Sequence, residues 1–244
     1  MEKKNMKKLD GKTAIILGAT GGIGFATSEV LAEAGANLVL ASRKIATLQP
    51  IVNKLDKIGT GEKLAIQTDA AKILHVDNLF ARTVKVFGQI DLVFVTTGTF
   101  REISATETQL TEAEKLYSEM EESILRPMFN VALVIQGLKQ MPKPWLVHVS
   151  SHVVDNFGLT NNWGYGPLKA GGSDIVARLQ AFGFKCTDIR SGFVDTLGNR
   201  EILDTEEKRK AVVQKDAIGN WLVEHFFDEK PPKIQRFESQ YKKN

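Results

Sequence analysis

The chain has 244 residues, a net charge of +3 and one cysteine, Cys186. Its length and its hydrophobic fraction of 43% suit one globular α/β domain. A lone cysteine excludes an internal disulfide, and no apolar stretch reaches membrane-spanning length. The N-terminus lacks the apolar core of a signal peptide, and its lysines are interpreted as a solvated leader over residues 1–10, not as a nucleic-acid tail. These features predict a cytoplasmic protein without a membrane or nucleic-acid partner.

Short apolar runs alternate with longer helical patterns along the chain. The runs are polar only at their ends, as in parallel strands buried on both faces: Thr13–Leu17, Asn37–Ala41, Lys63–Gln67, Ile90–Thr96, Trp145–Ser150 and Lys185–Arg190. The helical patterns between them are Ile23–Ala34, Ile45–Ile58, Ile73–Phe87, Glu112–Gln140 and Tyr165–Phe182. Repeated strand–helix units predict an α/β fold, a doubly wound (Rossmann-type) parallel sheet with helices on both faces.

The longest helical pattern, Glu112–Gln140, is apolar at helical spacing, at Leu116, Met120, Ile124 and Met128. This stripe indicates core or subunit packing. Pro127 lacks a backbone donor, so we expect it to bend the helix one turn before Asn130.

A glycine-rich loop, Gly18-Ala19-Thr20-Gly21-Gly22-Ile23-Gly24, follows the first apolar run and opens the first helical pattern. Gly18 permits a tight turn, while Gly22 and Gly24 allow a ligand to approach the backbone closely. The N-terminus of the helix offers unpaired N–H groups to a pyrophosphate. The strand–loop–helix context favours a dinucleotide site over an ordinary glycine-rich connection.

Tyr165 and Lys169 lie four residues apart, so they share one face of a predicted helix. An ammonium beside a phenol is expected to lower the pKa of that phenol toward neutrality, where it can act as a general acid or base. Ser150 and Ser151 precede this helix at the end of a predicted strand. Because strand side chains alternate, only one of the two hydroxyls can face the site.

Several of these residues lie at or just after the ends of predicted strands, where open α/β sheets bind ligands: Gly18, Arg43, Asp69, Gly98, Ser151 and Gly192. At the end of the second run, Ser42 and Arg43 stand where a carboxylate would bind the ribose of NAD. A guanidinium matches phosphate geometry, so NADP(H) is predicted over NAD(H). The alternative for Arg43 is an exposed loop charge.

With these motifs the chain resembles the short-chain dehydrogenase/reductase (SDR) family over nearly its whole length. The family's Gly-x-x-x-Gly-x-Gly pattern falls on Gly18, Gly22 and Gly24, and its active-site serine, tyrosine and lysine fall on Ser151, Tyr165 and Lys169. Its helix asparagine is matched to Asn130, and its late Pro-Gly-x-Val-x-Thr segment to Ser191–Thr196.

The resemblance implies one NAD(P)-binding domain over residues 1–244, with a seventh strand at Lys233–Phe237 and a homodimer or homotetramer as the assembly. It implies hydride transfer from NADPH to a carbonyl carbon, with Tyr165 as proton donor, Ser151 bonded to the carbonyl oxygen, Lys169 tuning Tyr165, and Asn130 supporting a water. The implied cofactor contacts are Gly18, Thr20, Gly21, Gly22, Ile23, Gly24, Ser42, Arg43, Asp69, Ala70, Gly98, Tyr165, Lys169, Val194 and Thr196.

The chain departs from the family pattern in several places. Thr96-Thr97 replaces the usual Asn-Ala before Gly98, Ser191 replaces a proline, and Ser151 lies one residue further from Tyr165 than is common. Asp69 matches an adenine-binding position, with a helix N-cap as its alternative. The histidines lack the ligand spacing of a metal site.

The substrate is predicted only as a small or solvent-extended carbonyl compound, because the segment matching the family's lid, about 197–215, is short and charged. An apolar pocket wall could come from Phe157, Leu159, Trp163 and Phe193. A non-catalytic NADP(H)-sensing protein on the same fold is the main alternative. The third hypothesis is a methyltransferase-like domain. Arg43 argues against it, because such a domain needs an acidic residue at this ribose-binding position.

Overall fold

A computed structural model describes residues 7–100, 110–138, 142–156, 163–196, 199, 201 and 203–240. Its seven strands form one parallel sheet in the order β3-β2-β1-β4-β5-β6-β7. The strands are β1 (Thr13–Leu17), β2 (Asn37–Ser42), β3 (Lys63–Gln67), β4 (Leu92–Val95), β5 (Trp145–Val149), β6 (Cys186–Ser191) and β7 (Ile234–Phe237). The predicted doubly wound parallel sheet, including its seventh strand, is confirmed.

Helices connect the strands and cover both faces of the sheet. They are α1 (Gly22–Glu33), α2 (Gln49–Leu55), α3 (Ile73–Phe87), α4 (Leu110–Ser123), α5 (Leu125–Gly137), α6 (Tyr165–Ala181), α7 (Glu206–Lys210) and α8 (Ala217–His225). Single 3-10 turns occur at Ile45–Thr47 and His152–Val154. None of the helices in the described ranges is long and apolar enough to cross a bilayer.

Two large hydrophobic clusters, one on each face of the sheet, form most of the core, and a third, small cluster consists of Met120, Ile124 and Leu168. Along β1, Ala14 and Ile16 belong to one cluster, and Ile15 and Leu17 belong to the other. This alternation follows from the two-residue period of a strand, and it explains why the strands are apolar throughout. Residues of α1 and α8 pack on the first face, and residues of α3, α5 and α6 pack on the second.

The helix predicted at Glu112–Gln140 is two helices in the structure. The break lies at Ile124, between α4 and α5. The bend expected at Pro127 is therefore misplaced, because Pro127 lies in the first turn of α5, where its missing N–H would have no helical acceptor. The helix predicted at Ile45–Ile58 is shortened in the same way, to a 3-10 turn followed by α2.

The order in which successive strands are added to the sheet reverses between β1 and β4. These strands are neighbours in space although β2 and β3 separate them along the chain. The crevice beyond their carboxyl ends is the place where open α/β sheets bind ligands. Gly18 follows β1 and Gly98 follows β4, so both border this crevice.

Candidate active site

The glycine loop makes a tight turn from β1 into α1. Gly18 has a φ of +92°, and its carbonyl accepts a hydrogen bond from the N–H of Gly21 at 2.9 Å. A Cβ on Gly24 would lie 2.3 Å from the Gly18 oxygen, so the third glycine of the motif is required by packing. Thr20, Gly21 and Gly22 are exposed, and the first turn of α1 has no acidic residue.

This N-terminus of a 12-residue helix fits the pyrophosphate of a dinucleotide. The positive end of the helix dipole lies beside exposed residues, and the first turn of α1 contributes no carboxylate that would repel a phosphate. Gly21 adds room, because a Cβ there would approach only the Gly18 carbonyl, at 3.3 Å. Contact of Thr20, Gly21 and Ile23 with the cofactor stays a prediction from the family resemblance, and the exposure of Thr20 and Gly21 is compatible with it.

The segment after β6 crosses the glycine loop. A Cβ on Gly22 would lie 2.3 Å from the Cβ of Thr196, so Thr196 packs directly on the loop. Val194 is buried and forms a bridge to Val213, which ties the last part of the lid segment to the chain just after β6. The structure thus brings Val194 and Thr196 beside the same crevice as Gly18.

Ser42 and Arg43 lie at the end of β2, on the other side of β1. The Ser42 hydroxyl is 3.3 Å from the hydroxyl of Thr47 and accepts a hydrogen bond from the N–H of Lys44 at 3.4 Å. The side chain of Arg43 is exposed and forms no ion pair with any residue in the described ranges. Its guanidinium is therefore available to a ligand beyond the end of β2.

Asp69 and Ala70 form the turn between β3 and α3. The carboxylate of Asp69 accepts a hydrogen bond from the N–H of Ala71 at 3.2 Å, while the N-cap position of α3 is Lys72. Asp69 therefore closes the turn before the helix, and the N-cap alternative is wrong. Ala70 is buried.

Asn130 has a buried side chain on α5 that donates a hydrogen bond from Nδ2 to the carbonyl of Ala70 at 2.9 Å. Its amide is thus committed to the turn after β3. Ile124, between α4 and α5, lies beside Lys169. A Cβ on Gly98 would be 3.2 Å from the Ile124 Cγ1 and also 3.2 Å from the Lys169 Nζ, so the two side chains meet at Gly98. The role of Asn130 in supporting a water stays a prediction, because the structure shows its Nδ2 bound to the Ala70 carbonyl and Ile124 beside Lys169.

Gly98 brings the backbone after β4 close to the ammonium of Lys169. Its φ of +148° is unfavourable for residues with a side chain, and a Cβ at 3.2 Å from the Lys169 Nζ would be in unusually tight contact. The buried hydroxyl of the preceding Thr97 has no hydrogen-bond partner among the described residues. A buried donor without a partner beside this open glycine is compatible with a polar ligand in the crevice.

Ser151, Tyr165 and Lys169 converge beyond the end of β5. The Ser151 side chain hydrogen-bonds the phenol of Tyr165 and also accepts a bond from the N–H of Val153 at 3.4 Å. Lys169 is buried, donates from Nζ to the carbonyl of Val149 at 3.0 Å, and lies 5.8 Å from the ring centroid of Tyr165.

Ser150 faces away from this cluster. Its hydroxyl lies 2.9 Å from that of Ser173 on α6, on the opposite side of the strand from Ser151. Strand alternation therefore separates the two serines, as the sequence predicted, and Ser151 is the one beside Tyr165.

The ionisation of Tyr165 and Lys169 differs from the sequence expectation. Burial raises the pKa of Tyr165 to about 12, with the hydrogen bond from Ser151 opposing the rise. Burial also lowers the pKa of Lys169 to about 8, with the charge of Asp188 opposing the fall. The phenol is therefore protonated at neutral pH, because desolvation of the phenolate outweighs any attraction to the ammonium.

Some contacts had no signal in the sequence. Phe100 packs edge-on against Tyr165 with ring centroids 5.1 Å apart, and buried His148 bonds Asp188. Trp163, one of the expected pocket-wall residues, is 76% exposed. Phe193 packs against the ring of His152 at 6.4 Å. The other two expected wall residues, at 157 and 159, lie outside the described residues.

The sheet is parallel, its glycine loop lies where the strand order reverses, and a Ser–Tyr–Lys cluster lies beyond β5. These features together define an oxidoreductase whose fold binds NAD(P)(H). The family model for short chain dehydrogenases matches residues 12–207. The chain therefore belongs to the short-chain dehydrogenase family, whose enzymes act on small-molecule substrates. No group of three potential ligand side chains able to hold a metal occurs among the residues that the structure describes.

Individual relatives agree with this family. An uncharacterized oxidoreductase of Staphylococcus haemolyticus is 28% identical over 222 residues, covering 85% of this chain and 92% of the relative. A short-chain dehydrogenase/reductase of Arabidopsis thaliana is 39% identical over 93 residues, covering 38% of this chain and 36% of the relative.

Two solved structures share the fold. An alcohol dehydrogenase of Thermococcus sibiricus, complexed with 5-hydroxy-NADP, matches with a TM-score of 0.79 and 21% identity, covering 96% of this chain and 98% of the other. A 7α-hydroxysteroid dehydrogenase complexed with NADH and 7-oxoglycochenodeoxycholic acid matches with a TM-score of 0.80 and 19% identity, covering 98% of this chain and 97% of the other.

Proposed function

We propose that this enzyme is an NADPH-dependent carbonyl reductase, converting a ketone, an aldehyde or a 3-oxoacyl compound to an alcohol, or the reverse. The observation that carries the proposal is the hydrogen bond between Ser151 and Tyr165 with buried Lys169 one helical turn further along α6. Carbonyl reduction needs a proton donor and a hydroxyl that can bind the carbonyl oxygen, and this pair supplies both.

The protonation state of Tyr165 favours the reductive direction. A phenol with a pKa of about 12 holds its proton at neutral pH and can give it to the alkoxide that forms during reduction. The Ser151 hydroxyl would donate to the same oxygen as its negative charge develops. Lys169 would balance the charge of Tyr165 once the proton has left, because its ammonium is on the same helical face.

Two regions would hold the cofactor, whose nicotinamide ring supplies the hydride when it is bound. The exposed loop from Thr20 to Gly22 at the N-terminus of α1 suits the pyrophosphate. At the end of β2, Ser42 and the exposed guanidinium of Arg43 suit the 2′-phosphate of NADP(H), since an arginine presents several donors in a fixed fork. This difference in charge is our basis for NADP(H) over NAD(H).

Other positions would shape the adenine and nicotinamide ends of the same crevice. Asp69 and Ala70 border it beyond β3, with Asn130 holding the Ala70 carbonyl and so positioning that turn. Gly98, Val194 and Thr196 border it nearer to Lys169 and the glycine loop. We therefore propose Asn130 as a positioning residue for that turn, and its support of a water stays a prediction from the resemblance.

The substrate is proposed to be small or to extend into solvent, because the lid segment that the structure describes is dominated by the charged helix α7. We further propose a cytoplasmic homodimer or homotetramer of one NAD(P)-binding domain, assembled through α4, α5 and α6. Exposed apolar side chains at Tyr117, Phe129 and Leu133 support that surface.

Oxidation of NADPH, followed by absorbance against a panel of ketones, aldehydes and 3-oxoacyl thioesters, tests the proposal. Turnover with at least one class and a preference for NADPH are the expected results. Tight NADPH binding without turnover of any class would favour the alternative, an NADP(H)-sensing protein on this fold.

A further inference from the structure

A buried, hydrogen-bonded His–Asp pair lies behind the candidate active site. His148 on β5 and Asp188 on β6 are direct partners across the two strands, and the His148 Nδ1 is 2.9 Å from the Asp188 Oδ1. Both side chains are almost fully buried, with 1% and 2% of their surface exposed. A buried carboxylate is costly unless it is paired and hydrogen-bonded, so this pair needs a reason within the fold.

Helix α6 is shaped around the pair. A Cβ on Gly172 would lie 2.8 Å from the His148 Cε1, so a glycine lets the helix pass over the imidazole. The next residue, Ser173, hydrogen-bonds Asp188. Tyr165, Lys169 and Ser173 follow one another at intervals of four residues and therefore share a helical face. Asp188 is thus bound by Ser173, which lies one helical turn after Lys169 on the face of α6 that also carries Tyr165.

The charges on the pair are defined by its surroundings. Burial works to raise the pKa of Asp188, but hydrogen bonds from His148, Ser173 and Arg190 hold it below its usual value. Burial lowers the pKa of His148, so at neutral pH its ring is neutral and its Nδ1–H can donate to the carboxylate. The pair therefore places one negative charge beneath α6.

The other ionisable groups around the pair leave Lys169 under the influence of the negative charge of Asp188. Arg190 donates from Nε to the second Asp188 oxygen at 3.1 Å, and Asp155 bonds both Arg190 and Arg236 on the outer side. Burial raises the pKa of the Cys186 thiol on β6 to about 12, so it is neutral. On α6 the facing groups are Tyr165, which is protonated, and Lys169, whose protonated form the Asp188 charge favours.

We propose that Asp188, held in place by His148 and Arg190, is a positioning residue whose buried carboxylate keeps the ammonium of Lys169 charged inside the site. Its importance for catalysis rests on the proposed function, but its effect on Lys169 does not. Without this counter-charge Lys169 would be a buried cation whose only described hydrogen bond is to the neutral carbonyl of Val149. Such a group tends to lose its proton.

The test is an NMR titration of Lys169 in protein labelled with [ε-¹³C]lysine. Loss of one signal in Lys169→Met assigns the resonance. The unmodified protein should titrate near the value of about 8 that its burial indicates. In Asp188→Asn the midpoint should fall by about one pH unit or more, since a nearby opposite charge shifts a pKa by roughly 1–3 units. Asp155→Asn, which alters the outer part of the same network, should leave the midpoint within about 0.3 units.

A second variant covers the possibility that Asp188→Asn leaves Arg190 buried without its partner and fails to fold. The double variant Asp188→Asn/Arg190→Gln removes both charges and should show the same fall. An unchanged midpoint in either folded variant overturns the inference. So does a requirement for the Asp188–Arg190 pair in folding itself, shown if neither variant gives a folded protein by circular dichroism, because the carboxylate would then have a structural role.

The dependence of NADPH oxidation on pH separates this inference from the proposed function. In Asp188→Asn the upper pH limit of turnover should move down together with the Lys169 midpoint. A shifted midpoint combined with full turnover in Lys169→Met would leave the inference about charge intact and contradict the proposed catalytic role of Lys169. An unshifted midpoint would contradict the inference alone.

Discussion

Thr196 packs on Gly22 so closely that a Cβ on the glycine would lie 2.3 Å from the Cβ of the threonine. This contact joins the segment after β6 to the N-terminus of α1, two parts of the chain that both border the crevice between the ends of β1 and β4. The absent side chain at Gly22 thus has two uses, since it leaves the helix N-terminus open and seats the segment that carries Val194 and Thr196.

Gly22→Ala should weaken NADPH binding and lower stability, because the Thr196 Cβ cannot rotate away as the end of a flexible side chain could. Overpacking of this kind costs about 1–3 kcal/mol. Adding Thr196→Gly removes the clashing atom and should recover part of the loss, which a double-mutant cycle of thermal unfolding and NADPH titration would measure. Gly137→Ala, at a helical glycine with open space around it, is the control. Additive effects of the two changes would contradict the contact.

Arg43→Ala should weaken NADPH binding while leaving NADH binding nearly unchanged. The guanidinium is exposed and unpaired within the described ranges, so only the ligand would lose an interaction. A hydrogen bond to a charged group contributes roughly 1.5–3 kcal/mol, which corresponds to about a 10- to 150-fold loss of affinity. Isothermal titration with both cofactors measures this, with Lys57→Ala as a control that removes an exposed cation from the turn after α2. Equal affinity for NADPH and NADH in the unmodified protein would refute the cofactor assignment.

Tyr165→Phe should abolish turnover and leave NADPH binding intact. The substitution keeps the ring that packs on Phe100 but removes the proton that we assign to the carbonyl oxygen. Positioned acid–base groups contribute about 10²–10⁴-fold in rate. Steady-state kinetics on the best carbonyl substrate would measure the loss, and Tyr117→Phe on α4 provides the matched control. A loss smaller than about tenfold would mean that the proton comes from another group.

Ser151→Ala should reduce kcat with little effect on NADPH binding, whereas Ser150→Ala should have a milder effect on turnover. Ser151 contacts the Tyr165 phenol, while Ser150 is bonded to Ser173 under α6 and should affect mainly stability. Lys169→Met should lower both rate and cofactor affinity, because its ammonium is assigned to both. The comparison needs kcat, KM and thermal unfolding for each variant. Equal loss of kcat in the two serine variants would contradict the assignment of Ser151.

The assembly prediction concerns the exposed apolar face of α4 and α5. Light scattering at micromolar concentration should give a multiple of the 27.0 kDa chain mass. Leu133→Glu should shift the mass toward the monomer, since it places a charge among apolar side chains that include Phe129. Glu114→Gln, an exposed change on α4, serves as the control. A species of single-chain mass in the unmodified protein would refute the prediction.

Most of the fold followed from local patterns. The apolar runs predicted six of the seven strands to within two residues at either end, because strands buried on both faces cannot tolerate polar residues in their interior, and the family resemblance supplied the seventh. The helices at Ile45–Ile58 and Glu112–Gln140 were predicted too long, since Pro50 and Pro127 lie in the first turns of α2 and α5 and favour a new helix start just before them. Helix α8 was not predicted, although its Trp221 belongs to the core.

By itself the sequence determined the sheet, the glycine loop and the shared face of Tyr165 and Lys169, because each of these depends on residues close together along the chain. Only the tertiary structure decided which of Ser150 and Ser151 meets Tyr165, that the Asn130 amide is engaged by Ala70, and that Thr196 rests on Gly22. The same holds for the raised pKa of Tyr165 and for the His148–Asp188 pair beneath Lys169. Burial and contacts between distant segments set these properties, and neither is encoded in the spacing of neighbouring residues.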